Sequence, residues 1–191
     1  MAAVELPIEH FVDASAWERW LEQHPESTGV WLKSAKKDSG VASVSYSEAL
    51  DVALCHGWID GQKKGYDAQC FLQRFTPRRA RSTWSKINVA RIESLVAAGR
   101  TDADGVRLAF ARADGRWDAA YDGAKSMAVP AELAKALAKN RKAKAFFDTL
   151  DKTNRYAVCW RVQTAVKPET RQARVEKLVA MLARGEKIHG A

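Results

Sequence analysis

Ser45-Tyr46-Ser47-Glu48-Ala49-Leu50-Asp51-Val52-Ala53-Leu54-Cys55-His56-Gly57-Trp58-Ile59-Asp60-Gly61 is the stretch in which one kind of structure gives way to another. Ser45 and Glu48 stand at capping-box spacing, where the serine hydroxyl accepts from a first-turn N–H and the glutamate reaches back. Tyr46, Ala49, Leu50, Ala53 and Leu54 then fall on one face of a 3.6-residue period, and Gly57 supplies a C-terminal stop. From Trp58 onward the period changes. Two β-like runs, Trp58-Ile59 and Cys70 to Phe75, are joined by the glycine- and charge-bearing Asp60-Gly61-Gln62-Lys63-Lys64-Gly65, which predicts an antiparallel hairpin.

Working outward, a first helix opens at Asp13 or at Ser15, which has Glu18 three residues on. It carries Trp17, Trp20 and Leu21 on one face and closes before Pro25. Gly29-Val30-Trp31-Leu32-Lys33 has strand composition, and Lys36 to Gly40 has turn composition. After Pro77 the chain is expected to be helical at Ser85–Ala98, Asp104–Ala113, Pro130–Lys139, Ala143–Leu150, Thr153–Thr164 and Pro168–Arg184. Pro130 and Pro168 suit first turns, and Gly99 and Gly185 suit helix ends. Val175, Leu178, Val179 and Leu182 form one apolar stripe and Tyr156, Cys159 and Trp160 another, both expected in a core. The class is α+β, a small antiparallel sheet with helices first and a helical part after it. The aperiodic Asp122-Gly123-Ala124-Lys125-Ser126 divides the chain into an α+β lobe, 1–122, and a helical lobe, 123–191.

The 191 residues carry a net charge of +8, distributed unevenly: −6 over residues 1–61, +7 over 62–100, −2 over 101–124 and +9 over 125–191. Such segments attract polyanions when they share a face and are neutral in effect when they pair internally. Cys55, Cys70 and Cys159 are widely spaced among apolar residues and form neither a disulfide framework nor a zinc pattern. His10, His24, His56 and His189 are scattered, so neither metal nor cofactor is expected. The absence of a basic, then apolar, N-terminal segment and of any ~20-residue apolar run predicts a cytoplasmic chain with no membrane insertion.

Arg74-Phe75-Thr76-Pro77-Arg78-Arg79-Ala80-Arg81-Ser82-Thr83-Trp84-Ser85-Lys86-Ile87-Asn88 is a strand end, a proline-marked turn and a helix start. Helix N-termini present unpaired N–H groups, hydroxyls add donors, and arginine grips carboxylate or phosphate with two parallel N–H bonds. Arg74, Arg78, Arg79, Ser82, Trp84, Ser85, Lys86 and Asn88, with Trp58 and Asp60 from the neighbouring motif, are therefore the candidate contacts for an anion. The alternative is structural: Ser82 or Ser85 caps the helix while the arginines pair with Asp60, Asp118 or Asp122. Cys55, His56 and Asp60 invite a nucleophile reading, but adjacent helical residues point about 100° apart, which separates the thiol from the imidazole. Asp60 suits a partner for Arg74 or Arg78, or a polar ligand contact.

Gly29–Lys33, Tyr46–Leu50 through Gly57–Gly61, Arg74–Arg78 and Trp84–Asn88 resemble the YdeI/OmpD-associated, or bacteriocin-protection, family. Asp114–Trp117, Asn154–Tyr156 and Lys167–Arg171 are similar to it too. The resemblance implies a role in tolerating bacteriocins or cationic peptides and brings no catalytic residues with it. Three readings of function follow. The first is a binding module for a small anionic ligand or, alternatively, nucleic acid. The second is an enzyme on an anionic substrate with Asp60 or His56 as acid or base. The third is a protective, partner-binding protein using the helices from Pro130 onward.

Overall fold

The computed structural model describes residues 5–79, 81–101, 112–113 and 115–190, and it is α+β. The chain forms two compact units: Met1–Ser82 with Ala90–Asp114, and Thr83–Val89 with Gly115–Ala191. The helix expected over Asp104–Ala113 lies outside the described residues except for its last two positions. Among the described residues no helix is long and apolar enough to cross a membrane.

In the first unit, β1 (Ile8–His10), β2 (Val30–Ala35), β3 (Trp58–Gly65) and β4 (Cys70–Pro77) form one mixed sheet in the order β1-β2-β4-β3. β1 is parallel to β2, and the other pairs are antiparallel. Alternation along β2 buries Val30, Leu32 and Ser34 on one face. α1 (Ala14–Gln23) and α2 (Tyr46–Cys55) accompany the sheet, and Trp17 of α1 packs its ring 5.6 Å from Phe75 and 6.2 Å from Trp58. Of the two expected starts for α1, Asp13 is the cap, accepting from Ala16 N at 2.8 Å. The capping box of α2 is complete, and Gly57 at φ 71° ends it where a left-handed residue is needed.

The hairpin differs from expectation at Asp60–Gly65, which belongs to β3 and is no turn. Lysines suit an edge strand, and here they are held by rings: Lys63 Nζ lies 3.9 Å from the Phe71 centroid and Lys64 Nζ 4.2 Å from that of Trp31. The turn falls at 66–69, closed by Asp67 Oδ1, which accepts from Gln69 N at 2.8 Å and Cys70 N at 2.6 Å. A bulge interrupts pairing between Asp60 and Lys63. Buried Gln73 stitches it, its Nε2 donating to the carbonyls of Gly61 at 3.0 Å and Gln62 at 3.3 Å.

The chain enters the second unit at Thr83, returns to the first within α3 (Lys86–Ala97) and belongs to the second again from Gly115. The second unit contains α4 (Ala131–Lys139), α5 (Arg141–Asp148), α6 (Lys152–Gln163) and α7 (Pro168–Ala183). Leu133, Leu137, Phe147, Val158, Cys159, Val162, Val175, Leu178 and Leu182 form its core. Of the two expected stripes, the α7 stripe is core apart from half-buried Val179, while in α6 only Cys159 is fully buried and Tyr156 and Trp160 remain half exposed.

Two carboxylates tie this unit together. Asp122 accepts from Lys86 Nζ at 2.7 Å and Gln163 Nε2 at 2.6 Å, and these bonds hold it below the usual carboxylate range. Asp151 caps α6 and is held low by the backbone and side-chain N–H groups of Asn154. A folded-state value below the unfolded one gives stabilisation that is complete above the unfolded pKa, about 4, and is lost as pH falls through the folded value. The urea midpoint of the chain should therefore drop on acidification below about pH 4, and Asp122→Asn should reduce that drop while lowering the midpoint at pH 7.

Candidate functional site

The proposed contacts along 58–88 are divided between the two units. In the first, Trp58 is 4% exposed in the core, and Arg78 is 8% exposed with its backbone N–H donating to Gly57 O at 2.9 Å. Asp60 accepts from the Tyr46 hydroxyl at 2.8 Å, and burial together with that bond pushes the Tyr46 pKa up. By register, Asp60 opposes Phe75 on the helix-covered side of the sheet, whereas Arg74 opposes Trp31 on the other side. Asp60 thus stands away from Arg74. The Arg79 side chain is exposed, and its backbone N–H donates to Ser82 Oγ at 3.1 Å.

In the second unit, Trp84 is buried with its ring 5.0 Å from Trp117. Ser85 Oγ caps α3, accepting from Asn88 N at 3.2 Å, while Lys86 N donates to Tyr121 O at 2.9 Å. Lys86 Nζ is committed to Asp122. Ser85 thus caps α3, and the N–H groups of Lys86 and Asn88 have partners within the protein. His56 Nε2 lies 3.5 Å from Glu18 Oε1, and burial raises the neighbouring Cys55 thiol, which keeps it protonated.

The geometry that gathers cations lies elsewhere in the helical unit. A cavity of about 750 Å³ opens between α6, α7 and the segment after α7, within the range of small-molecule sites. Trp160, Leu178, Met181 and Ile188 supply apolar wall, and Arg161, Arg174, Lys177, Arg184 and Lys187 border it, with Glu186 the one carboxylate in the lining. Several of these groups are held in place. Arg174 Nη1 donates to Arg161 O at 2.6 Å and Thr164 Oγ1 at 3.3 Å, and Arg161 Nη1 to Ala157 O at 3.1 Å. Arg184 grips both oxygens of Glu186 at 2.8 Å, which neutralises that carboxylate. Lys177 is exposed and has no hydrogen-bond or ion-pair partner among the described residues.

One wall is chain returning from α7. Buried Asn154 accepts from His189 N at 2.9 Å and donates to His189 O at 3.3 Å, pinning that segment against the start of α6. The sequence signal for the cavity is in α7: Arg174, Lys177, Met181 and Arg184 recur at three- and four-residue spacing beside the apolar stripe. A basic seam of that kind reads equally well as a solvated helix face, and only the returning segment turns it into a cavity.

Fold and site define a two-unit α+β protein whose helical unit encloses a cationic cavity. Residues 9–108, just over half of the chain, match the family described as Domain of unknown function (DUF8412), and the chain belongs to that family. Residues 126–185 match the family described as Bacteriocin-protection, YdeI or OmpD-Associated, the family the sequence resembles; Asn154–Tyr156 and Lys167–Arg171 lie in this match, whereas the segments at 29–33, 46–61 and 74–88 lie in the first, and residues 126–185 contain most of the cavity. No match was found among curated proteins or solved structures.

Proposed function

We propose that this protein is a binding protein for a small ligand with an anionic head and an apolar or aromatic body, seated in the α6–α7 cavity. The observation that carries this reading is that four cationic side chains, Arg161, Arg174, Lys177 and Lys187, line one cavity with an indole and aliphatic wall, in addition to an Arg184–Glu186 pair that neutralises itself. Arg174 and Arg161 are oriented by backbone carbonyls, which lowers the cost of ordering them around a ligand. Lys177 adds a mobile point charge at the rim. The anion expected at the turn before α3 is better accommodated here, because the N–H groups of Arg78, Arg79, Ser82, Lys86 and Asn88 already have partners, two of them the hydroxyls of Ser82 and Ser85. Direct capture of a cationic peptide runs against the field of a segment carrying net +9, so a protective role would act through a small anionic compound.

Titrating the full chain with anilinonaphthalene sulfonate, a ring system bearing one anion, should give saturable one-site binding that inorganic phosphate weakens. Lys177→Glu/Lys187→Glu should reduce affinity at least about tenfold at low salt, since each reversal changes a near contact by roughly 1 kcal/mol in wet surroundings. Both lysines are exposed, so the circular dichroism of the variant should match the parent. Equal affinity for parent and variant would overturn the assignment.

A further inference from the structure

The side of the sheet away from α1 and α2 has a composition that the cavity does not use. Register places two rows of side chains there across the strands. Ile8, Trp31 and Arg74 form one row, and His10, Lys33, Leu72 and Lys64 form the other. The rows lie two residues apart, roughly 7 Å along the strands.

Each row mixes ring or aliphatic surface with cations. Lys64 lies over the Trp31 ring at 4.2 Å, and Lys33 Nζ is 4.9 Å from the centroid of the exposed Tyr66 ring. Because Lys33 and Lys64 both oppose Leu72, their stems cross it, which explains how a leucine on this side is only 1% exposed. Arg74 has a buried Nε with no hydrogen-bond partner, and Gly61 leaves room beside it, a Cβ there falling 3.8 Å from Arg74 Cβ. Of the carboxylates near these rows, Asp67 lies 3.8 Å from Lys33, and Asp60 points to the opposite face.

We propose that this face of the sheet binds single-stranded nucleic acid, with bases stacking on Trp31 and Tyr66 and phosphates taken by Lys33, Lys64 and Arg74. The surface is open, which suits an extended chain better than an enclosed small anion. Its rings alternate with cations, the combination a strand of stacked bases and phosphates requires, whereas an acidic peptide has no use for the rings. Binding exchanges partners: an incoming base displaces Lys64 from the Trp31 ring, and the freed ammonium meets the phosphate next to that base. Duplex DNA keeps its bases inside the stack and cannot make the ring contacts.

The test is fluorescence anisotropy of the full chain with a labelled single-stranded oligothymidylate, an abasic strand of equal length and a duplex of equal length. The single strand should bind at least tenfold more tightly than either. Lys33→Gln/Lys64→Gln should weaken it at least tenfold and make the slope of log affinity against log salt shallower by roughly 1.4, as expected for two lost phosphate contacts on a single strand. Lys177→Glu/Lys187→Glu in the helical unit should leave this binding unchanged, so failure here and failure of the cavity are separate results. Absence of single-strand binding at low salt would overturn the proposal. So would equal affinity for the abasic strand, or displacement by oligoglutamate as effective as by oligothymidylate at equal charge.

Discussion

Trp17→Ala is expected to cost about 3–5 kcal/mol, the range for deleting a large buried aromatic. The indole is 0% exposed and touches the rest of the first unit's aromatic core. Phe11 lies 5.2 Å away, Trp20 stacks at 5.5 Å, Phe75 lies 5.6 Å away and Trp58 meets it edge-on at 6.2 Å. It is also a hydrogen-bond donor, with Nε1 reaching Ala49 O in α2 at 3.1 Å. Alanine would leave a cavity between helix and sheet and remove the second donor to the Ala49 carbonyl, which keeps its place in the α2 ladder, so the cavity is the larger cost. Against a typical total of 5–15 kcal/mol, that is enough to populate the unfolded first unit in mild denaturant. Trp20→Ala is the internal comparison, since Trp20 is half-buried and its edge contact with Trp58 is 6.1 Å. Urea unfolding should place the Trp17 variant well below the Trp20 variant. A smaller loss at Trp17 than at Trp20 would contradict the packing described.

Trp17 also shows what kind of information a sequence holds. Its place in the core followed from period alone, as did α2 with its capping box and glycine stop, because those signals are local and each is closed within a few residues. β1 gave no such signal. It is three residues long, two of them exposed, and becomes a strand only because β2 offers it an edge. The length of β3 was hidden for a related reason: Lys63 and Lys64 look like turn residues until Phe71 and Trp31 are placed beneath them by register. At the start of α3, Lys86 gives its backbone N–H to Tyr121 and its ammonium to Asp122, partners more than thirty residues away. The residue types were informative about charge, and the topology decided which charges are spent. Arg74, on the sheet, keeps a buried Nε without a hydrogen-bond partner.

Asn154→Ala should lower both stability and ligand affinity in the helical unit, and the pairing of the two effects is the informative result. Asn154 is 3% exposed and holds three partners at once: the N–H and the carbonyl of His189, and Asp151 Oδ2 at 2.9 Å. Alanine removes all of these, and each group left without a partner costs about 1–3 kcal/mol if it stays dry. Because His189 is exposed, its backbone groups can rehydrate as the segment lifts from α6, a peeling that leaves a net loss of about 2 kcal/mol rather than the sum. Peeling is what removes the cavity wall, since Lys187 and Ile188 belong to the same segment. Anilinonaphthalene sulfonate should then bind at least about tenfold more weakly, the factor that corresponds to 1.4 kcal/mol. Hydrogen exchange should show lost protection at His189 N–H, while the core of α6 around Val158 and Cys159 stays protected. Asn154→Asp separates the two roles of this side chain: its carboxylate still accepts from His189 N but cannot donate to the His189 carbonyl, and it faces the Asp151 carboxylate. Its affinity should lie between parent and alanine at pH 7 and recover toward the parent as acidification protonates the new carboxyl. An alanine variant that loses stability yet binds the dye as tightly as the parent would show that the returning segment is no part of the site.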